Sequence, residues 1–129
     1  MSPSQAPRPS TDRVARPLAA LLLAAGVAHF ARPGTFDDIV PRSLPGSARA
    51  WTYASGVAEL ALAAAVAAPR TRRVGALATA GFLAAVLPAN VKMAVDWRHR
   101  RSPYREIAWA RVPLQAPLIW WAVRAGRRD

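Results

Sequence analysis

The chain contains no cysteine. It therefore has no disulfide framework, no thiolate metal site and no thiol redox centre of its own, and any redox role must borrow a cofactor or a partner. Acidic residues are scarce as well, seven against eighteen basic ones, for a formal net charge of +11. Only two histidines are present, His29 and His99, and the second lies in a basic segment far along the chain, so no metal site is expected. An internal repeat, a Gly-rich phosphate loop and a heptad pattern are also missing.

What is abundant is apolar. Of 129 residues, 53% are hydrophobic, mostly Ala, Leu and Val, gathered into four long blocks almost free of charge. A soluble domain of this size shows amphipathic elements with one face polar, so blocks of bilayer length are the plainer reading. The arginines lie between the blocks. That placement suits orientation of spans and attraction of anionic headgroups better than the contiguous basic face of a nucleic-acid binder, and no nucleic-acid partner is expected. The expected fold class is all-α, an integral membrane bundle of four transmembrane helices.

Residues 1–16, rich in Pro, Ser and Arg, read as a flexible basic tail, residues 17–125 as the transmembrane domain and 126–129 as a short C-terminal tail. The first block runs from about Pro17, a residue suited to a first helical turn, to Ala31. Because GVAHFARPG follows it without a small-x-small cleavage site, retention as a helix is expected over removal as a signal peptide. The other blocks cover Ala50 to Ala68, Val74 to Val95 and Ile107 to Val123, the last ending on Trp120 and Trp121, as rings at a membrane interface would. The first connection, Arg32 to Arg49, holds helix breakers and an FDDIVP stretch suited to the membrane surface. Four spans put both termini on one side with nine arginines against seven, a bias toward cytoplasmic termini in the plasma membrane.

The blocks are not wholly apolar. Glu59 lies roughly 13 Å from the first-loop end of its helix and Arg111 roughly 6 to 8 Å from the same side of the fourth. Asn90 and Lys92 approach that side from the third helix and His29 from the first, while Gln115 follows Arg111 by one turn and Tyr53 precedes Glu59. Ionisable groups inside a membrane face the bundle interior and have partners. One explanation is a buried Glu59–Arg111 ion pair fixing helix register, with Asn90 and Gln115 satisfying the remaining donors and acceptors. The other adds a ligand: His29, Tyr53, Glu59, Asn90, Arg111 and Gln115, beside Pro88 and Pro113 that free backbone carbonyls, would line a pocket for a small amphipathic molecule. Lys92 is expected to snorkel and pair with Asp96. GALATAG, Gly75 to Gly81, marks close helix packing.

At AGVAHFARPGTFDDIVP (25–41), YASGVAELALA (53–63), LPANVKMAVD (87–96) and RVPLQAPLIWW (111–121) the chain resembles the DoxX family of four-helix bacterial membrane proteins. The resemblance covers roughly Leu18 to Arg124. It implies a multi-pass plasma-membrane protein, linked in some members to quinone-coupled sulfur oxidation or redox-stress complexes. The methylamine-utilisation branch of that family relies on cysteine-associated maturation, for which this chain has no thiol. Three functions stay open: an accessory protein whose outer-half pocket holds a quinone-like or other small amphipathic ligand, a structural subunit docking a membrane or peripheral redox partner, and an enzyme using Glu59 and His29 as acid and base.

Overall fold

The computed structural model describes residues 9–40, 43–99, 102 and 104–127. These residues form four long helices and one short one, with no strand among them. Helix α1 spans Pro9–Ala31, α2 Pro33–Asp37, α3 Ala48–Ala67, α4 Arg72–Asp96 and α5 Tyr104–Ala125, with a 3₁₀ turn at Trp97–His99 after α4. Within this set α1, α3 and α4 are long and apolar enough to cross a membrane, over Arg13–Ala31, Ala48–Ala67 and Arg72–His99. Helix α5 is of similar length, but Arg105, Glu106, Arg111, Gln115 and two prolines break its apolar run.

Helix α1 packs along α3, α5 packs along α4, α3 joins α4, and a smaller contact between α1 and α5 closes the ring. The α1–α3 crossing is close because glycines face it. A Cβ on Gly26 would come 2.8 Å from Leu60 Cδ2, and one on Gly56 would come 2.9 Å from His29 Cβ. At the end bearing the α3–α4 turn, Leu18, Leu22, Val66, Ala76 and Ala122 form the main core. At the first-loop end, Met93, Ala94 and Ala108 form a second, smaller one, with Ile39 and Trp97 against it.

The distribution of residues is inverted relative to a soluble bundle. Thr52, Thr79, His29, Asn90 and Gln115 are buried, whereas Val74, Trp120, Val57 and Leu114 are more than half exposed. Water would penalise such a surface, whereas lipid solvates it.

The helix ends show how their backbone groups are satisfied. The Ser47 hydroxyl accepts the Ala50 amide and caps α3, after Gly46 turns the chain at φ +84°, a left-handed conformation that favours glycine. At the other end of α3 three carbonyls lack helical donors and receive side chains from the next turn. Thr71 Oγ1 donates to Ala65 O at 2.7 Å, Arg72 Nε to Val66 O at 3.0 Å, and an Arg72 terminal nitrogen to Ala67 O at 3.2 Å.

Boundaries differ from expectation at the first helix. It begins at Pro9, so Pro17 lies in its interior and residues 9–16 of the tail expected over 1–16 are helical; the rest of that tail, residues 1–8, lies outside the described residues. The Trp121 indole N–H donates to Val14 O at 2.8 Å and ties this extension to α5. Trp121 is thus an interhelical tie, while Trp120 alone projects outward, with the Arg124 guanidinium 5.3 Å from its ring centre. Helices α4 and α5 continue through Pro88, Pro113 and Pro117.

Candidate functional site

Every long helix brings a polar residue into the first-loop half of the bundle. The closest contact is between α1 and α3, where His29 Nδ1 lies 3.1 Å from Glu59 Oε2. The same nitrogen lies 2.7 Å from Ala25 O, one turn back in α1. A backbone carbonyl only accepts, so the short contact places a hydrogen on Nδ1. That hydrogen points to Ala25, and Glu59 Oε2 is left buried against the ring nitrogen without a hydrogen bond. Gln115 Oε1, on α5, is likewise buried without a donor among the described residues.

Arg111 also enters this region from α5. Its charge acts on the Glu59 carboxylate through space, but among the described residues Glu59 makes its ion-pair-range contact with His29. The expected direct Glu59–Arg111 pair is thereby replaced by a three-member arrangement in which His29 touches the carboxylate and Arg111 stands further off. Asn90 is buried on α4, 4% exposed. Tyr53 does not join the cluster. It stacks on Phe30 at 5.2 Å with the Arg49 guanidinium 5.7 Å from its ring centre, and is 38% exposed on the outer face of the α1–α3 pair.

Two cavities among the described residues lie away from this cluster. One, of about 730 Å³, opens at the first-loop end between α2 and the end of α4, with Asp37, Trp51, Lys92, Met93, Asp96 and Trp97 in its wall. The expected Lys92–Asp96 pair forms there at 3.2 Å. The other is an apolar groove of about 800 Å³ between α3 and α4.

The residues that roof the cluster were not foreseen. Phe36 of α2 stacks on the His29 ring, centroids 3.7 Å apart and planes 19° from parallel. Asp37 accepts from Thr52 Oγ1 at 2.6 Å and from Arg49 Nε at 2.9 Å, clasping α2 to α3. The signal available in the sequence was the spacing of Thr52, Gly56 and Glu59, which puts a buried threonine on the same face of α3 as the glutamate.

The clasp makes a pH prediction. The Thr52 hydroxyl, with Arg49 adding to it against a smaller effect of burial, holds the Asp37 carboxyl below its ordinary value of 3.8. In the unfolded chain Asp37 titrates near that value, so the clasp contributes fully above it and is lost as pH falls through the lower folded value. The protection of the α2 amides, their exchange rates taken relative to the unstructured chain at the same pH, is expected to fall on acidification in wild type. In Asp37→Asn it is expected to be low already at neutral pH, with little further change; wild-type protection indifferent to acid would show that the clasp does not hold α2.

Against known proteins, no curated sequence and no solved structure matches the chain. One family model does match, over residues 18–126, which takes in α1 from Leu18 through the end of α5 and hence every member of the cluster. The chain belongs to the family described as domain of unknown function DUF8561.

Proposed function

We propose that the protein is a DoxX-like, four-span accessory of a membrane redox process. Its interior cluster of His29, Glu59, Asn90, Arg111 and Gln115 holds a quinone-like or other small amphipathic molecule. In this reading α5 is the fourth span, its charged residues facing inward, and both termini are on the cytoplasmic side of the plasma membrane, as the arginine distribution favours. The observation that carries the ligand is the pair of buried acceptors without donors, Glu59 Oε2 and Gln115 Oε1. A purely structural network in an apolar medium would satisfy its own members, because each buried group without a partner costs about 1–3 kcal/mol. A ligand hydroxyl can donate to these oxygens and the Arg111 guanidinium can donate to a ligand carbonyl.

The second reading is a structural subunit that docks a partner enzyme, its polar cluster serving only helix packing. The placement of both cavities away from the cluster favours it. Native mass spectrometry of gently extracted protein separates the two. The ligand reading expects a wild-type adduct of isoprenoid-quinone mass that disappears in Gln115→Leu and Asn90→Leu, both still folded. Three identical, adduct-free spectra would exclude it and leave the structural subunit.

A further inference from the structure

We infer that the groove between α3 and α4 binds one anionic phospholipid, an acyl chain lying along the groove and the phosphate held by Arg70 at its mouth. The floor and walls are small or apolar, with Ala61, Ala65, Ala78, Gly81 and Ala85 among them, and a Cβ on Gly81 would meet nothing within 4 Å. Small side chains let a hydrocarbon chain approach the helix backbones closely, and dispersion then accumulates over many atoms. Along α4 the groove runs from Thr71 to Ala85, roughly 20 Å at the helical rise. One leaflet of hydrocarbon is about 15 Å thick, half of a core of about 30 Å, so the groove takes a full acyl chain from headgroup level inward.

The charge lies at one end only. Arg70 is the charged residue among the described ones lining the groove, and it sits exposed in the α3–α4 turn, at the headgroup end. Thr71, the other polar lining residue near it, already donates its hydroxyl to Ala65 O. A cation at the mouth of an apolar slot complements a phosphodiester bearing a hydrocarbon tail. It opposes a second copy of this chain, since two grooves facing across a two-fold axis along the membrane normal would set Arg70 against Arg70.

The test is native mass spectrometry of the full chain equilibrated in micelles containing equimolar phosphatidylglycerol and phosphatidylcholine. Wild type is expected to retain one phosphatidylglycerol in preference to phosphatidylcholine. Arg70→Gln should lower that preference about fivefold, the effect of one basic residue near a lipid surface. Arg73→Gln, a basic neighbour that does not line the groove, should leave it unchanged. Gly81→Leu and Ala78→Leu fill the slot and should lose both lipids, with circular dichroism showing retained helix. Equal retention of the two lipids by wild type would overturn the proposal, as would an Arg73→Gln effect as large as that of Arg70→Gln. So would a disulfide dimer formed efficiently by Gly81→Cys, because a second copy would then occupy the groove.

Discussion

Gly75→Val is expected to destabilise the protein by about 3 kcal/mol or more, at the upper end for overpacking. A Cβ at this position would lie 2.7 Å from Ala65 Cβ, 2.8 Å from the Ala65 carbonyl carbon and 2.9 Å from the Val66 amide nitrogen. Two of those three atoms are backbone, held in the last turns of α3, so no rotamer change relieves the contact. The helices must separate where the α3–α4 turn holds them together, and the side-chain caps on Ala65, Val66 and Ala67 would be disturbed with them. Gly81→Val, on the same helix in open space, is the control and is expected to change stability by less than about 1 kcal/mol. Unfolding in a sodium dodecyl sulfate titration measures both, and equal midpoints for the two variants would show that the approach at Gly75 is looser than described.

Glu59→Leu is the second large effect, an expected loss of about 3–5 kcal/mol. The Glu59 side chain is 14% exposed and provides the negative charge that acts on Arg111, so its removal strands a cation inside the bundle. Leucine fills the space, which separates the charge effect from a cavity effect. Arg111→Leu alone should cost less, since the neutral form of a carboxyl group is accessible to Glu59 whereas arginine stays charged. The double replacement Glu59→Leu/Arg111→Leu is expected to recover most of the single loss, a coupling that two residues without mutual influence would not show. Strictly additive losses in the same unfolding titration would place Arg111 outside the electrostatic reach of Glu59.

The helices were legible because their signal is collective. Blocks of seventeen or more residues with only one or two charges allow little other than a buried or spanning helix, and the expected blocks fall within α3, α4 and α5 to within a few residues. The start of α1 was not legible, because residues 9–16 are polar and what anchors them is tertiary, an indole of α5 bonded to Val14 O. Helix α2 was missed for a related reason. Five residues containing Pro33 and Gly34 read as a turn, and their order comes from the Asp37 clasp and the Phe36 stack, contacts formed across the fold.

Within the cluster, depth was legible and rotation was not. Counting residues placed His29, Glu59, Asn90, Arg111 and Gln115 in one half of the bilayer, but it says nothing of how each helix turns about its axis. That rotation decides that Glu59 meets His29 directly while Arg111 stands back, and that Tyr53 faces outward onto Phe30. The same limit applies to GALATAG: Gly75 makes the close approach expected of it, whereas Gly81 turns to the open groove.

The caps at the end of α3 bear on what holds the central hairpin in shape. The last α3 carbonyls are served by Thr71 and Arg72, so the α3–α4 hairpin carries donors for its own turn. The bend between the two helices is thus fixed by four residues of local chain, whereas the packing that steadies α3 and α4 along their lengths comes mostly from α1 and α5.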